Sequence, residues 1–189
     1  MARVPYLSEA DLAPADRDMM ARPINLFRAL ANSPGGMRRH YEFGEWIRWE
    51  CELDPRLREL AILHVGYLTA NAYEFSHHVE IGRRFGVTDA DVDGLARFAA
   101  GEPSGLSELE DLVLAAAREL TEDAGLAPST WAALCERLPA PRVTELVIVV
   151  AFYNYVVRVL SGLDIDVEDE YLPYLDRFPL PDTRSGAPS

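Results

Sequence analysis

Apolar residues recur every three or four positions along most of the chain, and the residues between the runs punctuate helices. In LDPRLRELAILHVGYLTAN, Leu57, Leu60, Ala61 and His64 follow the i, i+3, i+4, i+7 pattern, with Leu68 one turn further on the same stripe. Asp54 stands where an N-cap belongs, and Pro55 at the first helical position, where its missing N–H costs nothing. The next helix is expected from about 72 to 85, stopped by Gly86. TDAD (88–91) and SELE (107–110) fit the capping box, and the second opens a helix that Gly125 closes. PSTWAALCERL reads as a short helix and PRVTELVIVVAFYNYVVRVLSG as a long one. The β-branched run around Val147 and Val150 could pass for a buried strand, but its length and the absence of turn residues favour helix. The first fifty residues break into shorter helices at Pro14, Pro23 and SPGG (33–36), and bring Tyr41, Trp46 and Trp49 near the main body. Beyond Gly162 the chain turns acidic and proline-rich, as a loose tail would. The pattern predicts an all-α protein in three parts: an N-terminal helical extension (1–53), a helical domain (54–162) and a tail (163–189).

One repeat is visible. DPRLRELAIL (54–63) and APRVTELVIV (140–149) align residue by residue, pairing Pro55 with Pro141, Arg56 with Arg142, Glu59 with Glu145 and Leu60 with Leu146. A duplicated helical unit related by a pseudo-twofold axis follows; the copy number is too low for a solenoid. Only the first copy is followed by a polar cluster, so candidate chemistry belongs to the first half.

Composition alters this picture little. At 49% hydrophobic and 26% charged residues the chain has the make-up of a folded globular protein. Its charge does exclude a partner class: a net charge of −13 repels a polyphosphate backbone, and the RR pairs at 38–39 and 83–84 are too short and separate to override it. No apolar run approaches the ~20 residues that span a bilayer, and MARVPYLSEADLAP lacks the apolar stretch and basic flank of a secretory signal. A soluble, cytoplasmic protein with no nucleic-acid or membrane partner is expected. Cys51 and Cys135 have no cysteine within three residues, so there is neither a redox CxxC nor a zinc-binding thiolate cluster; both are expected as inert buried packing.

The chemistry is concentrated in TANAYEFSHHVEIGRRFGV (69–87). On a helix beginning near Asn71, positions 71, 74 and 78 share one face, and Glu74 and His78 form an i, i+4 pair. A carboxylate touching an imidazole raises its pKa and fixes which nitrogen carries the proton, the minimum equipment for general acid–base catalysis. Glu59 can join if the two helices pack as an antiparallel hairpin. The same residues also read as a well-capped helix, with Asn71 as N-cap and Glu74 at N3. Glu–His pairs at this spacing stabilise solvated helices by about 0.2–0.5 kcal/mol, and spacing alone favours this second reading. His77 lies about 100° round the helix from His78 and is expected on an exposed or partner surface. His64, on the apolar stripe, reads as a hydrogen-bonded core histidine, and His40 has no companion in sequence. Two ligands at i, i+4 are weak support for a metal site, and none is expected. No Gly-rich phosphate loop, GxSxG or nucleophile beside a base is present.

Over residues ~54–95 the block DPRLRELAILHVGYLTANAYEFSHHVEIGRRFGVTDADVDGL resembles the carboxymuconolactone decarboxylase family, whose superfamily includes the AhpD alkylhydroperoxidases. The resemblance implies an AhpD-like helical fold, here carrying an N-terminal extension that lids or reshapes the pocket or builds a different subunit contact. It also implies a homo-oligomer of three or six subunits. The peroxidase branch carries Cys-x-x-Cys-x-x-x-His in this turn. Here Asn71 and Glu74 occupy the cysteine positions, His78 keeps the histidine, and Glu59 matches the relay glutamate. Without either thiolate the disulfide-exchange peroxidase mechanism cannot run. What remains resembles cofactor-free enzymes acting on small carboxylated lactones. The resemblance implies His78, Glu74 and Glu59 as the acid–base set, Asn71 as an oxyanion donor, and Arg58 or Arg83 as holder of a substrate carboxylate. The alternative is a non-catalytic oligomeric scaffold of the same fold, in which Glu74 and His78 would face solvent with no pocket around them.

Overall fold

The computed structural model describes residues 2–182, and among them helix is the only regular structure. Two 3-10 turns (Glu9–Asp11, Pro14–Met20) lead into α1 (Asn25–Leu30), α2 (Pro34–Trp49), α3 (Pro55–Leu68), α4 (Ala72–Arg84), α5 (Asp89–Ala99), α6 (Glu108–Glu122), α7 (Pro128–Arg137) and α8 (Ala140–Leu163). A third 3-10 turn (Asp169–Tyr171) and α9 (Leu172–Arg177) close the described chain.

Helix α3 is the axis of the molecule. The Asp54 carboxylate accepts from the backbone N–H of Arg56 (2.9 Å) and Leu57 (3.1 Å), capping the helix as its sequence predicts. Every residue from 57 to 66 is buried, charged ones included. A helix buried all round must be surrounded, and α4, α6 and α8 pack against it. Beyond α3 the chain turns at Ala70, in the left-handed region (φ 46°), and α4 returns alongside. At Gly66 the two helices approach so closely that a Cβ would lie 3.1 Å from the Phe75 backbone nitrogen. The hairpin that would bring Glu59 to His78 is therefore formed. α8, the partner of α3 in the sequence repeat, also packs on it, and its β-branched run is helical.

The capping boxes at Thr88/Asp91 and Ser107/Glu110 are both made. One side chain from α3 uses them twice: Arg56 binds the Asp91 carboxylate at 2.7 Å and that of Glu110 at 2.8 Å, joining three helices. Burial would raise the pKa of Asp91, but Arg56 and the Thr88 backbone N–H outweigh it and hold the carboxyl down at about 2.

Several sequence expectations need correction. The segment after α8 is not a loose tail as far as 182: Ile165, Tyr171 and Phe178 are buried, and Glu168 bonds to the N-terminal segment and to α4. Residues 183–189 lie outside the described chain. Helix α8, at 24 residues with mean hydropathy 1.9 over an 18-residue window, is long and apolar enough to cross a membrane by length and composition. The sequence reading missed this because the run is interrupted by Tyr, Asn and Arg. Much of its apolar surface is turned into the core. α6 is closed by Ala124 at φ 57° and not by Gly125. Cys51 is buried, whereas Cys135 is exposed.

His64 is a core residue with no accessible surface, but it is not hydrogen-bonded. Neither ring nitrogen has a partner, and the ring meets Phe98 edge-on at 5.7 Å. Burial, helped by Arg118, lowers its pKa to about 3, so the ring is neutral. Its two polar atoms are desolvated without return, so His64→Leu is expected to stabilise the fold by about 1–3 kcal/mol. Urea unfolding at pH 7 measures it, and an unchanged or lower stability would show that the imidazole has partners after all.

Candidate active site

The side chains of Glu59 from α3 and of Glu74 and His78 from α4 meet in the interior. His78 Nδ1 lies 2.7 Å from Glu59 Oε2 and hydrogen-bonds to it. His78 Nε2 lies 2.9 Å from Glu74 Oε1, but off the ring N–H direction, so Glu74 Oε1 keeps no hydrogen-bond donor. The other oxygen of Glu59 faces Arg58 at 3.1 Å. Arg58 is itself fully buried: Nη1 donates to the Ile47 (3.1 Å) and Arg48 (3.3 Å) carbonyls at the end of α2, and the guanidinium lies over Phe85 at 4.6 Å. Two cations and two anions thus alternate through the interior. Burial alone would lower the His78 pKa, but Glu74 and Glu59 outweigh it and raise it to about 9. Glu59 runs the other way: burial raises its pKa, while His78 and Arg58 prevail and hold it below the ordinary carboxylate value.

This array borders a cavity of about 270 Å³. α4 contributes Tyr73, Glu74, His77, His78 and Ile81; α8 contributes Phe152, Tyr153 and Val156. Opposite them stand residues from the first fifty: Arg22, Phe27, and one face of α2 that includes His40, Gly44 and Arg48. The Tyr153 ring meets His78 edge-on at 5.0 Å, and burial, with Glu74 and Glu59 adding to it, keeps its phenol protonated well above the ordinary range. The His40 pKa is pushed down by burial to about 4, against the opposing pull of Glu74.

The structure thus brings His78, Glu74 and Glu59 together but places the three expected substrate-binding residues elsewhere. Asn71 is the N-cap of α4: its Oδ1 accepts from Glu74 N at 2.9 Å, and its Nδ2 donates to Ser161 Oγ at 3.1 Å and to the Val157 carbonyl at 3.4 Å, so both its N–H groups are taken within the protein. The box is one-sided, because the Glu74 carboxylate turns to His78. Arg58 is consumed by Glu59 and α2. Arg83 sits on the surface, paired with Asp89 at 2.7 Å and stacked on Tyr174. His77 is also corrected: it is buried, sandwiched between Tyr73 (4.2 Å) and Tyr171 (3.6 Å), with Nε2 2.8 Å from Glu168. The folded-back C-terminal segment, invisible to helix periodicity, covers what would otherwise be an open face. Among the described residues, no group of three or more His, Cys, Asp or Glu side chains could hold a metal ion.

Residues 34–119 match the sequence model of the carboxymuconolactone decarboxylase family. A solved structure of an uncharacterized peroxidase-related protein with an alkylhydroperoxidase AhpD core, from Ralstonia eutropha JMP134, superposes with a TM-score of 0.79 at 16% identity, covering 95% of this chain and 98% of that one. Residues 34–119 thus carry the sequence signature of the carboxymuconolactone decarboxylase family, on an AhpD-like helical fold. A Cys-to-Ala variant of the debrominase Bmp8, in complex with 2,3,4-tribromopyrrole, superposes with a TM-score of 0.78 at 18% identity, covering 94% and 98% of the two chains. A peroxidase-related protein from Silicibacter sp. TM1040 gives 0.68 at 16% identity, with 89% and 94% covered. At such identities these likenesses establish the fold. No significant match is found among curated proteins.

The family match opens at Pro34 and so takes in α2, which the sequence reading had assigned to an extension. Its carbonyls anchor Arg58 and its face lines the cavity. Sequence reasoning missed Tyr153, His40 and Arg48, because each stands in a helix without a chemical motif. Only the fold brings them to the polar cluster.

Proposed function

We propose that this cavity is the active site of a cofactor-free acid–base enzyme that decarboxylates a small carboxylated lactone or keto acid, or carries it through a related enolate. The observation that carries the reading is an imidazole held between two buried carboxylates at the wall of an aromatic-lined cavity. Loss of CO₂ breaks the bond to the carboxylate carbon, and its electron pair enters the conjugated carbonyl as an enolate. With a pKa near 9, His78 enters the reaction protonated at neutral pH. It therefore suits the role of acid that returns a proton to carbon, and a base role would work against its charge state. Tyr153, protonated and with no hydrogen bond to a described residue, suits the enolate oxygen, the role Asn71 cannot fill. Glu59 fixes the ring orientation through Nδ1, and Glu74 holds the imidazolium charge beside the reacting carbon. That a debrominase of this fold is found in complex with a small planar heteroaromatic supports a single-ring ligand here.

A non-catalytic scaffold would leave Glu74 and His78 on an open surface; their burial beside a cavity favours the enzyme. Exposed apolar side chains on α2 and α8, Phe43 and Tyr155, support self-association; the family resemblance makes a trimer or hexamer the expected size, which light scattering would measure.

The test is an NMR assay in D₂O with γ-carboxymuconolactone and several β,γ-unsaturated and β-keto acids, run on wild type and His78→Ala. Loss of CO₂ with deuterium placed at the product carbon, reduced roughly 10²–10⁴-fold in the variant, is the expected result. Deuterium exchange without CO₂ loss would make the reaction an isomerisation or another enolisation. Neither reaction with any acid would overturn the proposal.

A further inference from the structure

We propose that α2 is the recognition helix of the cavity and that Arg48 anchors an anionic group, a carboxylate in the first instance, of a small planar ligand. The inference deepens the function proposed above, because it takes the cavity to be the active site. Residues 40, 41, 44, 45, 48 and 49 all line the cavity. These are positions i, i+1, i+4, i+5, i+8 and i+9, one continuous face of a helix.

Along that face the chemistry is graded. Arg48 is half-buried, and its guanidinium makes no hydrogen bond or ion pair with any described residue. This is unusual in this chain, where Arg38, Arg56, Arg58 and Arg142 are each held by carboxylates. One turn back, Gly44 leaves open space: a Cβ built there meets nothing within 4 Å. A helix interior gains from almost any residue over glycine, so a glycine facing a cavity marks room for something other than protein. A further turn back, His40 presents a neutral ring with an unpartnered Nδ1. Helix geometry puts Gly44 roughly 6 Å along the axis from Arg48, about the span of one substituted ring, and Phe27 and Phe152 flank the gap. Arg48, Glu74, His78 and Tyr153 all line this one cavity, so the anchor and the proton-transfer centre share it. A ligand carboxylate on Arg48 would lay its ring over Gly44 and direct its far edge toward His78. Glu45 also lines the cavity and opposes an anion there, which tunes affinity without removing the anchor.

Binding tests this without turnover. Calorimetric titrations would compare benzoate, trans-cinnamate, 2-furoate and γ-carboxymuconolactone with their neutral amides, using wild type, Arg48→Gln, Arg48→Lys and Gly44→Leu. The wild type should prefer the acids. Arg48→Gln should lose roughly 10–100-fold for the acids, the range of a charge-assisted hydrogen bond, with amide binding unchanged. Arg48→Lys should recover part of the loss. Gly44→Leu, which removes no protein contact, should abolish binding of both while melting no lower than wild type. A wild type that binds no acid more tightly than its amide, or an Arg48→Gln variant that keeps the preference, overturns the proposal. Selective acid binding that depends on Arg48, in a protein inactive toward all of them, would leave the anchor standing and sink the proposed reaction instead.

Discussion

Replacing Glu59 by alanine is expected to lower the unfolding free energy by about 3–5 kcal/mol, the cost of leaving buried charge uncompensated. Glu59 is 2% exposed and is the shared partner of two cations, Arg58 at 3.1 Å and His78 at 2.7 Å. Arg58 cannot turn to water, because it is 1% exposed and held to the end of α2 by its bonds to the Ile47 and Arg48 carbonyls. Without Glu59, two buried cations would share one remaining carboxylate, that of Glu74. Glu59→Gln keeps the shape and can still accept from His78 Nδ1, so it should cost less than the alanine variant. Removing the charge should also bring the His78 pKa down from about 9. Urea unfolding at pH 7 measures the first effect, and an NMR titration of the His78 ring the second. A Glu59→Ala variant within about 1 kcal/mol of wild type would mean that water reaches the array, and the buried ion pairs on which the proposed acid–base site rests would not hold.

How much of this was legible before the structure depended on the range of the interaction. Caps and helix periods are local. Asp54, Asn71, Thr88 and Ser107 each cap the helix that their sequence predicts. The Glu74–His78 pair is also local, one turn of one helix. Glu59 needed a tertiary step, the hairpin of α3 on α4, and the family motif supplied it. The ligand-facing residues needed more. Arg58 looked available in sequence because nothing there says that α2 ends against it. Nothing in the sequence marks Arg48, because nothing there says that its helix shares a cavity with His78. The same blindness hid the burial of His77: Glu168 lies 91 residues away along the chain, and no period or motif connects them. Polar residues on local patterns could be assigned from sequence, but the partners that decide their chemistry come from elsewhere in the chain.

Stability should peak near pH 6.5 and fall on both sides, with different histidines responsible for each limb. His40 and His64 have folded pKa values lowered to about 4 and about 3, against about 6.5 in an unfolded chain. Between those values the unfolded state binds protons that the folded state refuses, so stability falls as pH falls. With both residues contributing, the slope approaches about 2.7 kcal/mol per pH unit between pH 6 and 4. Below about 4.5, Glu59, whose folded pKa is lowered, adds a loss of the same sign. His78 acts in the opposite direction. With a folded pKa raised to about 9, it binds a proton that the unfolded chain has released, so its contribution is complete below pH 6.5. That contribution then fades as pH rises through 9, for a total of roughly 3 kcal/mol. Unfolding measured from pH 4 to pH 9.5 should therefore trace an asymmetric dome. His64→Leu should flatten the acid limb and raise the maximum. His78→Gln should level the alkaline limb while leaving the acid limb its slope. A dome whose alkaline side is unmoved by His78→Gln would mean that the imidazole is neutral in the folded protein. His78 would then be poised as a base, and the direction of proton transfer proposed for this site would have to be reversed.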